Sequence, residues 1–400
     1  MILILFPVFE VSYGIFAIII FLFASKLSKN LINISSYLIL IILIATISSF
    51  FQDKTSYNFI KDVAYFTKPI LAIIAGYLLA KQIKTINRLL KNIIFVTAIL
   101  SIIHLIKILT QVDFSTDSIS EIRKFGGYSN LLQVFALTIL IGSYKYKFLD
   151  VFKSKLLKRI VLITITTSFI LYFSRTMVIA FLILGLSVFG YLKLTQKGVK
   201  YASITILCIG LFYVYLFNSN IERDKPGIES FLYKMKIAPS EIFSLIDKKR
   251  MSDHAYLWDH WRAYEATMAI EQINTVPTFI AGKGLGALVD LKMSVFLGGE
   301  KMRYIPKLHN GYVNLFFKSG ILGVVIYLLF LINLYIFVYS KSKKEESKVI
   351  NNLIGGIGVY FIFSSLIING IYNVEDLNMF ILGFLFFLRK ETNYLKEKVD

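Results

Sequence analysis

The sequence predicts an all-α polytopic membrane protein of about 11 transmembrane helices, within a range of about 10 to 12. The chain of 400 residues is 56% hydrophobic and only 17% charged. Apolar runs of about 18 residues or more recur along it, each long enough to cross a hydrocarbon core about 30 Å thick. Lysines gather in short connections at alternate ends of these runs. One long extracytoplasmic loop, which is predicted to carry short amphipathic helices, interrupts the series of spans.

The predicted spans follow the apolar runs in chain order. They cover residues 2–24, 31–51, 63–80, 92–110, 130–148, 159–174, 176–193, 200–217, 309–339, 349–370 and 377–389. The lysine-rich connections are 25–30, 81–91, 144–159, 193–200, 341–348 and the tail after 389. With this count of spans they all fall on one side of the membrane, which the positive-inside rule makes cytoplasmic. The C-terminus is then cytoplasmic and the N-terminus lies outside.

The spans divide the chain into four segments. An N-terminal transmembrane bundle of about 8 helices covers 1–217, a large extracytoplasmic loop covers 218–308, about 3 C-terminal helices cover 309–390, and a cytoplasmic tail covers 391–400. Prolines with glycines between them break the loop into short pieces. Within it, the stretch 253–273 has the pattern of one amphipathic helix and contains both tryptophans of the chain.

Composition also excludes several classes of function. Topology explains the net charge of +19, so no binding to nucleic acid is predicted. Cys208 is the single cysteine, which excludes an internal disulfide and a multi-cysteine metal site. His254 and His260 do not have a metal-ligand spacing, so no metal site and no cofactor are predicted. The apolar start at Ile2, without a basic region, argues against a cleaved signal peptide.

Arginine is concentrated toward the outer side. Six of the nine arginines are predicted to be extracytoplasmic or at the outer edge of a span: Arg123, Arg175, Arg223, Arg250, Arg262 and Arg303. A guanidinium binds phosphate oxygens in bidentate fashion and keeps its charge, so this distribution favours a lipid-linked diphosphate as ligand. Arg175 interrupts an apolar stretch, where it either faces a cavity or snorkels to the headgroups. Arg123 is either functional or an ordinary loop cation.

The segment that begins at His309 combines a titratable group with glycines suited to close packing. His309 and Asn310 are predicted to open a helix after Pro306, where the helix dipole favours a neutral imidazole. Such an imidazole either accepts a proton from a sugar hydroxyl as a general base or caps the helix together with Asn310. On a single continuous helix, Gly320 and Gly323 fall near the same face as His309.

Two further patterns have competing interpretations. The glycines from Gly282 to Gly286 lack the Walker spacing and a preceding strand, so they predict a tight, close-packed turn and not a nucleotide loop. The aromatic residues Trp258, Trp261, Tyr304 and Tyr312 either stack on sugar rings or belong to an interfacial aromatic belt.

Taken together, these residues resemble the O-antigen ligase and polysaccharide polymerase family. The run of His309 and Asn310, nine further residues, Gly320, two residues and Gly323 is similar to the signature that follows the large outer loop in that family. Weaker similarities are Arg123 with Gly126 and Asn130, Ser174-Arg175-Thr176, the arginines and tryptophans of 250–262, and Gly282 to Gly286. The resemblance extends over about residues 120–330.

The resemblance implies a metal-independent glycosyltransferase of the bacterial cytoplasmic (inner) membrane with an extracytoplasmic active site. His309 would be the base that activates the acceptor, and Arg175 and Arg250 would hold the diphosphate. Further candidates for diphosphate binding are Arg262, which lies near the tryptophans as Arg250 does, Arg123 and Arg303. Sugar-stacking or structural roles would fall to Trp258, Trp261, Tyr312, Asn310, Gly320 and Gly323.

The implied partners are undecaprenyl-diphosphate-linked oligosaccharide, an acceptor glycan and the lipid bilayer, with a chain-length regulator as a further candidate. The first hypothesis is a polymerase that joins lipid-linked repeat units into O-antigen, capsule or exopolysaccharide. The alternatives are an O-antigen ligase or O-oligosaccharyltransferase of the same family, and a flippase or transporter of the same lipid. Because the cations gather at the outer rim and not along a central cavity, an enzyme is favoured over a transporter.

Overall fold

The computed structural model describes residues 8–52, 54–83, 85–113, 117, 122, 130–223, 225, 228–247, 250, 253–373 and 377–397. Eight helices precede the 218–308 segment within these residues: α1 (Phe9–Leu22), α2 (Lys29–Ser49), α3 (Ser56–Ile83), α4 (Ile86–Gln111), α5 (Asn130–Gly142), α6 (Lys155–Leu171), α7 (Arg175–Val188) and α8 (Gln196–Asn218). Three follow it: α14 (Gly311–Ile336), α15 (Glu345–Ile367) and α16 (Asn378–Glu397). Short 3-10 helices lie at Lys147–Leu149, Phe337–Tyr339 and Gly370–Tyr372.

Each predicted span overlaps one of these helices. Six helices of the described residues are long and apolar enough to cross a membrane, by length and composition: Lys29–Ser49, Ser56–Ile83, Ile86–Gln111, Gln196–Asn218, Gly311–Tyr339 and Glu345–Ile367. Shorter apolar helices cover Phe9–Leu22, Leu131–Gly142 and Arg175–Val188. The prediction of a helical membrane protein is therefore confirmed, whereas the count of about 11 spans stays a prediction.

The 218–308 segment contains short helices and a β-hairpin. The helices are α9 (Ile228–Lys236), α10 (Ala238–Phe243), α11 (His254–Asp259), α12 (Trp261–Glu271) and α13 (Val276–Ala281), and the antiparallel strands are β1 (Val289–Leu297) and β2 (Glu300–Ile305). The single helix predicted over 253–273 is wrong, because the chain bends at His260 between α11 and α12. The hairpin was not predicted, although apolar residues alternate with polar ones from Val289 to Val295 and a Gly298-Gly299 pair follows.

The helical bundle and the 218–308 segment have separate hydrophobic cores. In the bundle, α3 and α16 pack at backbone contact, since a Cβ on Gly76 would lie 2.0 Å from the Phe380 carbonyl oxygen. Small residues allow this close approach between membrane helices. The second core is formed by Leu257, Trp261, Tyr264, Met268, Ala269, Val289, Leu291, Val295, Ile305, Leu308 and Phe317. Phe317 belongs to α14, so the second core is anchored on a helix of the bundle.

Helix α14 is broken at Gly320. This residue has φ 64° and ψ −167°, a region that is open almost only to glycine. The break leaves the carbonyl oxygens of Phe317 and Lys318 available, and they accept hydrogen bonds from the backbone N–H groups of Lys283 (2.8 Å) and Gly284 (2.9 Å). Since the helix also begins only at Gly311, the prediction that His309, Gly320 and Gly323 share one face of a continuous helix is wrong.

The turn from Gly282 to Gly286 joins this break to the helices α2 and α3. Its three glycines have φ of +75°, +82° and +86°, and a Cβ on Gly282 would lie 2.5 Å from the backbone of Lys318. The Leu285 N–H donates to the Ala45 carbonyl (3.2 Å), and the Gly286 N–H donates to Asp62 Oδ2 (2.6 Å). These contacts make the segment from Gly282 to Gly286 a tight, close-packed turn, as its glycines predict.

A buried ion pair lies at the centre of this junction. Lys318 Nζ of α14 is 2.5 Å from Asp62 Oδ2 of α3, and the two side chains are 1% and 4% exposed. Lys318 also donates to the Ala287 carbonyl. Because the carboxylate accepts from both the lysine and the Gly286 N–H, the pair has the additional hydrogen bonds that a buried ion pair requires.

We expect Asp62→Asn to destabilise the protein by about 3 to 5 kcal/mol, because it leaves Lys318 buried without its counter-charge. The midpoint of thermal unfolding in detergent measures this effect. The double variant Asp62→Leu with Lys318→Met removes both charges and should recover most of the loss. Lys225→Met is the control, since its exposed pair with Glu222 contributes at most about 1 kcal/mol. Equal stability of Asp62→Asn and the wild type would contradict the assigned role.

We expect Gly320→Ala to impair folding, because its Cβ would lie 2.2 Å from the Ile280 carbonyl oxygen and the backbone has positive φ. Backbone strain and overpacking each cost roughly 1 to 3 kcal/mol. The matched control is Gly185→Ala in α7, where a Cβ meets nothing within 4 Å. That variant should be neutral or more stable by up to about 1 kcal/mol. The yield of monodisperse protein and its thermal midpoint distinguish the two variants.

Candidate active site

His309 is held by a buried glutamate of the 218–308 segment. Glu265 on α12 accepts two hydrogen bonds from His309 through Oε2, one from the backbone N–H at 3.1 Å and one from Nδ1 at 2.8 Å. The Glu265 side chain is 4% exposed, whereas the imidazole side chain is 49% exposed. A charged carboxylate only accepts hydrogen bonds, so the network assigns the proton of a neutral imidazole to Nδ1. The nitrogen left to accept a proton is then Nε2.

The residues after His309 fix the start of α14. Asn310 is the N-cap, and its side chain accepts from the Val313 N–H at 3.1 Å. The side-chain oxygen of Asn314 accepts from the Leu308 N–H at 3.3 Å. These two bonds hold the backbone on both sides of His309, as expected for an N-capped helix. Asn310 therefore has the capping role that the sequence offered as one alternative.

Two arginines converge on a single carboxylate close to Glu265. Arg175, the first residue of α7, lies 3.1 Å from Glu241 Oε2 of α10, and Arg262 of α12 lies 3.3 Å from Glu241 Oε1. Arg175 also donates to the Lys234 carbonyl of α9. The three side chains are only 14% to 19% exposed. Two fixed positive charges thus share one negative charge in a half-buried setting.

Arg262 connects this arginine cluster to the histidine pair. Burial is the largest effect on Arg262 and lowers its pKa, and the positive charge of Arg175 lowers it further. The carboxylates of Glu241 and Glu265 act in the opposite direction, so both lie within electrostatic range of Arg262. Arg262 and Glu265 are three residues apart on α12, so their side chains are neighbours on one face of the helix. An anionic group bound at the arginines would therefore lie near His309.

The other candidate arginines lie elsewhere. Arg250 stacks on the Tyr256 ring, 4.4 Å from its centroid, and its side chain is 60% exposed. Arg303 forms a bidentate pair with Asp290 of β1 at 2.8 and 2.9 Å, and these hydrogen bonds hold the pKa of Asp290 well below its usual range. Arg123 lies outside the described residues. Of the five arginines proposed for diphosphate, the structure brings together Arg175 and Arg262.

The aromatic candidates differ in exposure. Trp261 is 5% exposed and belongs to the second core, 5.4 Å from the partly exposed ring of Trp258. Trp258 Nε1 donates to His254 Nε2 at 2.8 Å. Tyr312 donates its hydroxyl to the Ile362 carbonyl of α15 at 3.1 Å. Trp261 and Tyr312 thus have packing contacts, and Trp258 keeps an accessible surface.

The glycines of the predicted motif have packing roles. Gly320 forms the helix break described above. A Cβ on Gly323 would lie 1.8 Å from the Ser319 hydroxyl oxygen, and that hydroxyl donates to the Leu315 carbonyl at 2.8 Å. Both glycines thus maintain the shape of α14 below His309.

Several residues of the site were missed by sequence reasoning. Glu265 and Glu241 lie in polar stretches, where acidic residues are common, so their partners were not apparent. Lys318 gave a clearer signal, since a lysine inside a long apolar helix requires a partner. Lys307 lies 4.5 Å from the Tyr65 ring centroid, and burial together with the charge of Lys61 lowers its pKa. It ties the segment before His309 to α3.

Within the described residues, no three His, Cys, Asp or Glu side chains come together as a metal-binding group. The candidate site described above consists of a histidine, two carboxylates and two arginines.

The fold is that of a polytopic membrane protein, and the residues of this site fall largely in a region shared with known proteins. Residues 160–328 match the family model described as O-antigen ligase. The match includes Arg175, Glu241, Arg262, Glu265 and His309. This match is consistent with the O-antigen ligase and polymerase family, whose members are glycosyltransferase-like enzymes. Searches of curated proteins and of solved structures found no match.

We expect Glu265→Gln to reduce kcat for glycan transfer by about 10²- to 10⁴-fold with little change in KM, because the imidazole loses the anion that orients it. Steady-state kinetics on purified protein measures both constants. Glu265→Asp should recover part of kcat, which a merely structural role would not require. Glu271→Gln, at the exposed end of the same helix, is the control. Unchanged kcat in Glu265→Gln would contradict the positioning role.

Proposed function

We propose that the chain is a glycosyltransferase that moves a glycan from undecaprenyl diphosphate to a sugar hydroxyl at the outer face of the bacterial inner membrane. Our first choice is a polymerase that joins lipid-linked repeat units. The observation that carries this proposal is the pairing of half-exposed His309 with buried Glu265, next to the two arginines on Glu241. One group can accept a proton, and its neighbours can bind an anionic leaving group.

In the proposed reaction, His309 Nε2 takes the proton of the acceptor hydroxyl. The acceptor oxygen forms a bond to the anomeric carbon of the donor glycan, while the bond from that carbon to the diphosphate oxygen breaks. Undecaprenyl diphosphate leaves with the electron pair. Glu265 keeps the imidazole oriented and stabilises the imidazolium that forms.

Arg175 and Arg262 are the proposed ligands of the leaving diphosphate. Their guanidinium groups are already oriented by Glu241, so little reorganisation is needed when negative charge develops. The diphosphate would either bind the two arginines together with the Glu241 carboxylate or displace that carboxylate from them. We propose a metal-independent step, because diphosphate is a fair leaving group and two fixed cations compensate its charge.

The proposed topology follows the distribution of lysine. The lysine-rich connections and the C-terminus would be cytoplasmic, and the 218–308 segment with His309 would be extracytoplasmic. In this arrangement the 1–217 bundle and the 309–390 helices hold the segment at the outer surface. An undecaprenyl-linked glycan displayed there would reach both His309 and the arginines.

A ligase is the second candidate, favoured by the description of the matched family model. Both activities use the same donor and the same base. They differ in the acceptor, which is a lipid-linked repeat unit for a polymerase and a lipid A core for a ligase. An O-oligosaccharyltransferase would differ in the same way, with a protein as acceptor.

The test is the glycan profile of a deletion strain complemented with wild type, His309→Ala or His254→Ala. We expect His309→Ala to insert normally and to abolish chain extension, because no base remains to activate the acceptor. Surface glycans and lipid-carrier intermediates are both resolved by electrophoresis. His254 is exposed, bonds to Trp258 and serves as the control.

The profile also separates the two candidates. Surface molecules with a single repeat in the His309→Ala strain indicate a polymerase. Long chains that remain on the carrier indicate a ligase, and our first choice is then wrong. Unchanged chain length and unchanged intermediates would reject the proposed mechanism.

A further inference from the structure

Helix α13 and the glycine turn after it contact two helices of the bundle well below the ends of those helices. A Cβ on Gly320 of α14 would lie 2.2 Å from the Ile280 carbonyl oxygen of α13. Gly320 is nine residues after the start of α14, so this contact is about 14 Å along the helix. The Leu285 N–H donates to the Ala45 carbonyl of α2, about 6 Å before that helix ends at Ser49.

The lengths of α2 and α14 place both contacts at membrane depth. Helix α2 has 21 residues and is about 31 Å long, which matches a hydrocarbon core about 30 Å thick. The apolar helix Gly311–Tyr339 has 29 residues and is about 14 Å longer than the core. Even if this whole excess projects toward the 218–308 segment, the contact at Gly320 lies at the surface of the hydrocarbon. The contact at Ala45 lies within it.

Helix α13 exposes an apolar face. Val276, Phe279 and Ile280 are spaced by three and four residues, so they share one side of the helix, and they are 72%, 51% and 43% exposed. The sequence has no charged residue from 272 to 282. After it, Lys283 Nζ lies 5.8 Å from the centroid of the Phe317 ring. An exposed apolar face of this kind indicates contact with a membrane or with another protein.

The helices beside α13 expose apolar side chains at the same level. Ile47 of α2 is 59% exposed and precedes Ser48, whose hydroxyl donates to the Gly282 carbonyl at 2.5 Å. Ile321 of α14 is 36% exposed and follows Gly320, which packs against α13. Since α2 and α14 are candidate membrane spans, the apolar face of α13 continues surfaces that face lipid.

The turn after α13 has the hydrogen bonds that non-helical backbone requires at membrane depth. The N–H groups of Gly282, Lys283, Gly284, Leu285 and Gly286 donate, in this order, to the carbonyls of Thr278, Phe317, Lys318 and Ala45 and to Asp62 Oδ2. The carbonyls of Gly282 and Leu285 accept from the hydroxyls of Ser48 and Ser49.

The start of α13 is equally suited to apolar surroundings. Thr275 and Thr278 form a capping box, in which each side chain accepts from the backbone N–H of the other residue. Pro277 has no N–H group that would need a partner. The polar groups at this helix end are thus largely bonded to one another.

We infer that residues 275–286 form a re-entrant segment that enters the lipid bilayer, with Val276, Phe279 and Ile280 against acyl chains. In the proposed topology the leaflet is the outer one, but the insertion does not depend on the proposed reaction. Its depth beside two spans and its continuity with their apolar surfaces favour lipid as the partner. The bilayer then helps to hold the turn that binds α14, the helix that follows His309.

The test measures the depth of α13 in the full-length protein in phospholipid vesicles, after Cys208→Ala removes the single native thiol. Single cysteines with nitroxide labels replace Val276, Phe279, Leu329 as the lipid control or Leu245 as the water control. Phe279 and Leu329 are matched at 51% and 49% exposed, and Leu245 is 96% exposed. Electron paramagnetic resonance measures collisions of each label with oxygen, which concentrates in hydrocarbon, and with a polar nickel complex, which stays in water.

We expect labels at 276 and 279 to collide with oxygen as often as the label at 329. Their collisions with the nickel complex should be about fivefold or more below those at 245, because the complex is excluded from hydrocarbon. Exposed surface alone, 96% against 51%, accounts for about twofold. Val276 does not take part in the ring contact between Phe279 and Phe316, so its label reports the depth when the Phe279 variant folds poorly.

Two results would overturn the inference. Nickel collisions at 276 and 279 as frequent as at 245 would show that the apolar face lines a water-filled surface, such as a groove for glycan. Few collisions with either probe would show that protein covers the face, from a partner or from a second copy of the chain.

His309→Ala separates this inference from the proposed function. The variant should lose glycan transfer and keep the collision rates at 276 and 279, because membrane insertion does not involve the base. The same rates with retained transfer would overturn the proposed function and leave the re-entrant segment. Lost transfer together with nickel collisions at the level of position 245 would overturn the re-entrant segment and leave the proposed function.

Discussion

The ion pair between Lys318 and Asp62 is the constraint on which the rest of the structure depends. It lies where the broken helix α14, the glycine turn and helix α3 meet, and both side chains are almost fully buried. Charges in such a setting are costly unless each has several partners, and here the turn supplies them. The break at Gly320, the positive φ of the turn glycines and the ion pair therefore stabilise one another.

The same junction couples the two hydrophobic cores. Phe317 and Lys318 are adjacent, yet Phe317 belongs to the core of the 218–308 segment and Lys318 pairs with a helix of the bundle. The start of α14 then has a fixed position relative to α12, which brings His309 to Glu265. The geometry of the histidine pair thus depends on packing in both cores, and not on α14 alone.

The sequence predicted the positions of the helices well, and it predicted some of the residues that the structure brings together at the candidate site. Long apolar runs determine where membrane helices lie, and residue type and position were enough to select His309, Arg175 and Arg262 as candidates. The partner of His309 was not, because Glu265 is 44 residues earlier and only tertiary packing brings it close. Apolar and polar residues alternate around Val289, as in a strand. The prolines and glycines of the 218–308 segment were the stronger signal, and they predicted short pieces of loop and helix instead of a hairpin. The break at Gly320 was missed because glycine is common in regular membrane helices, so its presence in an apolar run does not reveal the backbone angles that it adopts.

The separation of Asp62 and Lys318 along the chain has a consequence for biosynthesis. The two residues are 256 positions apart. At translation rates of about 5 to 20 residues per second, Asp62 waits roughly 10 to 50 seconds for its partner to leave the ribosome. During this interval α3 is already made while the carboxylate has neither the lysine nor the turn to bind. The junction can therefore close only after the N-terminal helices, the glycine turn and the first part of α14 have all been synthesised.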